Sequence, residues 1–63
     1  MDSKEMYRKK FEELLKIEEK ARDLYKYYIS QVEDPVILEK LKELYEDEQK
    51  HVKIVEDFIE RAR

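Results

Sequence analysis

Sixty-three residues hold at most one domain, near the lower limit at which a chain buries enough surface to fold alone. Charged residues make up 49% of the chain, yet the net charge is only -3 and the signs are interleaved, so neither a basic nucleic-acid footprint nor an acidic tail is present. The absence of cysteine removes disulfides, thiolate metal sites and iron–sulfur clusters, and no apolar run is long enough to span a membrane. With no signal peptide visible, the expected location is the cytoplasm.

The elements read as two helices and one turn, an all-α chain with no glycine to mark hairpin turns. Ser3 is a plausible N-cap for a first helix over about residues 4–32. Its apolar stripe, at alternating four-three spacing, is Tyr7, Phe11, Leu14, Glu18, Ala21, Tyr25, Tyr28 and Val32. Glu33-Asp34 forms the turn, with Asp34 the N-cap and Pro35 the first residue of the second helix, where its missing N–H is harmless. That helix runs over about residues 35–62, on a stripe of Leu38, Leu41, Tyr45, Glu48, Val52, Val55, Ile59 and Ala62. Acidic-to-basic pairs at i, i+4 support the exposed faces: Glu5–Lys9, Glu12–Lys16, Glu18–Arg22, Glu46–Lys50 and Asp57–Arg61.

Each stripe is interrupted once, near its middle, by a carboxylate. An unpaired carboxylate in an apolar seam costs several kcal/mol, so it must be paired, protonated or bound to a metal. In an antiparallel hairpin turning near Glu33, residues i and j sit level when i + j is about 66. Glu18 and Glu48 meet that condition, and His51 lies one turn beyond Glu48 on the same face. Apolar residues beyond the stripes, among them Leu15, Ile17, Leu24, Ile29, Leu44 and Phe58, widen each face past what one partner helix covers. A second copy of the chain is the simplest remaining cover. The expected assembly is a two-helix hairpin that dimerises into a four-helix bundle, or a larger even-numbered homo-oligomer.

A two-fold axis through the level of Glu18 and Glu48 would gather four carboxylates and two imidazoles. Such a set balances two divalent ions, and carboxylate oxygens with one imidazole per ion suit iron or manganese and tolerate zinc. It is the donor pattern of dinuclear carboxylate bundles, a Glu from each of two helices and a Glu-x-x-His from each of the other two. The expected ligands are Glu18 as terminal carboxylate, Glu48 as bridge and His51 as nitrogen donor. Asp47, one turn before His51, is placed to accept its free ring N–H. Tyr25 and Tyr45 read first as core residues with a polar tip, and second as hydrogen-bond donors to a ligand carboxylate. Glu19 reads as a surface residue.

The stretch Glu18-Glu19-Lys20-Ala21-Arg22-Asp23-Leu24-Tyr25, followed by Glu48-Gln49-Lys50-His51, resembles the ferritin-like superfamily. It is most similar to the rubrerythrin branch, with Glu-x-x-Ala-x-x-x-Tyr in a first helix and Glu-x-x-His in a second. It also resembles the encapsulated ferritins, in which a short hairpin dimerises to complete the site. The resemblance covers the chain from about Phe11 to Phe58. It implies a di-iron centre that reacts with oxygen or peroxide, oxidising ferrous iron or reducing peroxide. Two other classes fit the residues: a metal-binding bundle without turnover, natural or designed, and a purely structural hairpin.

Overall fold

The computed structural model describes residues 2–63, which form helix α1, Ser3–Gln31, and helix α2, Pro35–Arg61. No strand occurs among the described residues. The helices are antiparallel: Phe11 near the start of α1 meets Phe58 near the end of α2, with ring centroids 5.3 Å apart.

Caps and proline set the boundaries. Asp2, not Ser3, caps α1: its extended backbone lets Oδ1 accept the Glu5 N–H at 2.8 Å, and Ser3 becomes the first helical residue. Helix α1 ends one residue before the expected Val32, whose extended backbone leaves the helix while its N–H still donates to the Tyr28 carbonyl at 2.9 Å. Pro35 disfavours helical geometry at the preceding residue, and Asp34 is accordingly extended. Asp34 Oδ1 accepts from the N–H groups of Val36 and Ile37 at 2.8 and 3.2 Å, starting α2 as expected. No described residue takes a positive φ, so the turn closes without glycine. Helix α2 stops at Arg61, with Ala62 as its C-cap.

The inner seam of α2 is the expected stripe, position for position: Leu38, Leu41, Tyr45, Glu48, Val52, Val55, Ile59 and Ala62 are all buried or half-buried. The inner seam of α1 is not the expected one. Phe11, Glu18, Tyr25 and Val32 keep their places, but the positions between them are filled by Leu15, Arg22 and Ile29, with Arg8 extending the row. Tyr7, Leu14 and Tyr28 turn outward and are exposed, and Ala21 is half-buried beside them. The apolar arc of α1 is wide enough to hold two rows of period 3.5, and only one can face α2. None of the five expected i, i+4 pairs closes among the described residues. Arg8–Glu12, Lys40–Glu43 and Glu60–Arg63 close instead, and Arg22 turns to Asp23 rather than Glu18.

The displaced residues build a second surface. Tyr7 and Phe58 line one cleft and therefore lie on one side of the hairpin. A period of seven carries that side along α1 through Leu14, Ala21 and Tyr28, and along α2 through His51, Leu44 and Ile37. The opposite side carries Glu12, Glu19, Lys26, Lys42, Gln49 and Glu56. One broad face is thus apolar and the other polar. Among the described residues only Val52, Val55 and Ala62 are buried apolar ones, and Cα extents of 49 × 14 × 10 Å describe a rod. Its radius of gyration, 14.8 Å, exceeds the roughly 11 Å of a compact domain this size.

Candidate metal centre

Glu18 projects from the middle of α1 and Glu48 from the middle of α2. The hairpin register brings them together as the sum rule required. His51 follows Glu48 by one turn, so both side chains leave α2 on neighbouring positions of one face. One ligating atom from each of Glu18, Glu48 and His51 lies within 4.8 Å of the others. His51 Nδ1 stands 3.5 Å from Glu48 Oε1 and 3.8 Å from Glu18 Oε2.

The environment is graded from seam to surface. The Glu48 side chain is 16% exposed and Glu18 22%, whereas the His51 imidazole is 54% exposed on the apolar face. The carboxylates are therefore half-withdrawn from water, and the imidazole marks where the site opens. The Glu18 carboxyl titrates above its ordinary range. Hydrogen bonding to the Glu48 carboxyl is the largest cause, desolvation and the Glu48 negative charge add to it, and His51 opposes it. Two carboxyls this close favour sharing a proton over both ionising.

Glu48 Oε2 is buried and has no hydrogen-bond partner among the described residues. Leaving a buried acceptor unsatisfied costs about 1–3 kcal/mol, more for a charged one. A cation held between the carboxylates and the imidazole would give the Glu48 carboxylate a partner and offset the negative charge of the pair. The donors are hard oxygens with one borderline nitrogen, which suits iron, manganese or zinc over calcium. The residues present fit a metal ion.

The supporting residues differ from expectation. Asp47 is exposed and makes no hydrogen bond to His51 among the described residues; the Nδ1 edge of the imidazole faces the two carboxylates instead. A carboxylate on the preceding turn does not reach a ring already drawn toward the seam. Tyr45 is half-buried with its hydroxyl accepting from Gln49 Nε2 at 3.2 Å, and Tyr25 is half-buried with no side-chain hydrogen bond among the described residues. Neither tyrosine bonds to a ligand carboxylate. Glu19, read as a surface residue, is half-buried beside the seam. The orphaned oxygen of Glu48 carries no sequence signal, because it depends on which way a carboxylate turns within the seam.

Comparison with known protein families, with curated proteins and with solved structures found no match to this chain.

Proposed function

We propose that Glu18, Glu48 and His51 bind a transition-metal ion, and that a homodimer joins two such sites into a dinuclear centre. One observation carries this reading: donor atoms of two carboxylates and the chain's one histidine converge within 4.8 Å, and one oxygen of the Glu48 carboxylate is buried without a partner among the described residues. The ligand kinds support iron first, with manganese or zinc as alternatives. The Glu-x-x-His spacing and the Ala and Tyr positions after Glu18 add the ferritin-like resemblance, which supports an oxidoreductase acting on oxygen, peroxide or ferrous iron.

Bound iron would supply one-electron exchange with oxygen or peroxide. The chain's own contribution is positional. Glu18 and Glu48, held on rigid helices at one level, present their oxygens without reorganisation of the backbone. His51 sits where the seam meets the apolar face, so a second copy covering that face would exclude water from the imidazole side. Glu48, with Oε2 buried and unpartnered among the described residues, would be the bridging carboxylate.

The test is metal content and sedimentation equilibrium on protein loaded with ferrous iron, followed by exposure to oxygen. One ion per chain, a dimer, and an absorption change on aeration are expected. A loaded but redox-silent complex would leave a metal-binding bundle without turnover. A metal-free chain under iron-replete conditions would sink the reading.

A further inference from the structure

We infer that the open end of the hairpin is a receptor for the turn end of a second copy, so that the two copies pack antiparallel, face to face. This deepens the dimeric reading above and rests on it.

The receptor is an open cleft of about 520 Å³ between the start of α1 and the end of α2. Tyr7, Phe11, Phe58 and Ala62 line it, and the charged side chains at it are Lys4 and Arg61. The Phe11 ring stacks on Tyr7 at 6.5 Å and tilts against Phe58 at 5.3 Å, an aromatic floor left open to solvent. The occupant is at the other end of the same face. Tyr28 and Ile37, 44% and 51% exposed, flank the turn on the side that carries His51.

Spacing along the helices selects the arrangement. On α1, Tyr7 lies eleven residues before Glu18 and Tyr28 ten after it. On α2, Phe58 lies ten residues after Glu48 and Ile37 eleven before it. At 1.5 Å per residue, cleft and knob both stand about 15–17 Å from the carboxylate level, in opposite directions. A two-fold axis at that level, perpendicular to the helices, therefore brings the metal sites together. The same rotation seats each copy's Tyr28 and Ile37 over the other's cleft.

Charge agrees with that choice. Lys4 and Arg61 at the cleft come level with Glu33 and Asp34 of the opposing turn. A two-fold axis along the helices would also join the metal sites. It would set Lys4 of one copy against Arg61 of the other, like charge on like, and cleft against cleft, leaving apolar space without partner atoms. The Cα trace of the rod extends 49 by 14 Å in its two longest directions, so one broad side approaches the roughly 800 Å² per partner of a stable interface.

The chain has no cysteine, which permits a clean cross-linking test. Full-length single variants Phe58→Cys, Ile37→Cys and Tyr7→Cys, each checked for helicity, are mixed in pairs with iron and oxidised. The expected result is a heterotypic 58–37 disulfide dimer at several-fold excess over 58–7. Predominance of 58–7 would overturn the antiparallel arrangement while leaving a metal-loaded dimer, and with it the functional reading, intact.

A second test uses surface charge. Glu33→Lys should weaken dimerisation several-fold in sedimentation, and Lys4→Glu in the same chain should restore it. The two residues stand at opposite ends of one hairpin, so rescue is only possible between copies. Absence of rescue, or a helical monomer at micromolar concentration that still binds one ion, overturns the proposal.

Discussion

At the scale of single residues, the site is a competition between two carboxyls for one volume. The raised Glu18 pKa has its main cause in Glu48, so Glu48→Gln should return the Glu18 carboxyl toward its ordinary value, read by carboxyl-carbon NMR titration of the metal-free protein. The sign of the stability effect follows. A carboxyl whose folded pKa is raised favours the fold most below the unfolded value of about 4.3, and that contribution is lost as pH rises through the folded pKa. Metal-free protein should therefore gain stability from Glu18 in acid. Metal-loaded protein should behave in the opposite way, because protons displace the ion from its ligands. Thermal melts between pH 4 and 7, with and without metal, separate the two, and parallel profiles would contradict a shared site.

Ligand substitutions belong to the same scale. His51→Ala should weaken metal binding at least ten-fold, the loss typical even of groups that only orient ligands. Glu48→Ala should abolish binding of the second ion. Calorimetric titration checks both, and unchanged stoichiometry would remove these residues from the centre.

At the scale of elements, the helices owe their limits to aspartate caps and one proline. Asp34 accepts from two backbone donors that have no helical partner, and Asp2 from one. Asp34→Ala should cost about 1 kcal/mol and lower the melting temperature by about 4–8 °C. Asp2→Ala should cost a similar amount, whereas Ser3→Ala should lie within about 0.5 kcal/mol of wild type, since Ser3 is inside the helix. A larger loss at Ser3 than at Asp2 would contradict the cap geometry. The inner row of α1 also carries Arg8 and Arg22 where α2 carries only apolar residues, Tyr45 and Glu48. Both arginines are half-buried in that row and pair locally with Glu12 and Asp23, an arrangement in which the stem of a long side chain covers apolar surface while its charged head stays hydrated.

At the scale of the whole molecule, the rod leaves one broad apolar side uncovered, which the proposed dimer would cover. Three buried apolar residues among those described are a small core to set against the entropy of ordering the chain. Stability should therefore depend on protein concentration, with the melting temperature rising on concentration and on metal addition. Glu18 and Glu48 together replaced by leucine should stabilise the metal-free protein at neutral pH, because a repelling, partly desolvated pair is exchanged for packing, and should abolish the response to metal. If chelation leaves the wild-type melt unchanged and the double-leucine variant is the less stable, the two glutamates are structural and no metal centre exists.

Much of the hairpin is legible in the sequence alone. The single break at Asp34-Pro35, the α2 stripe and the meeting of Glu18 with Glu48 follow from periodicity and one turn, because a hairpin without glycine and with uninterrupted helices has one simple register. His51 followed from i, i+3 spacing on an element already placed. The tertiary structure decided what periodicity leaves degenerate. Leu14 and Leu15 both flank Phe11 and Glu18, and Tyr28 and Ile29 both flank Tyr25 and Val32, so the sequence admits two inner rows on α1. Contact with α2 took Leu15 and Ile29 inward and turned Leu14 and Tyr28 onto the outer face. Only that choice made one side of the hairpin apolar, set His51 in it, and left Glu48 Oε2 without a partner, since each depends on which neighbour reaches an atom first.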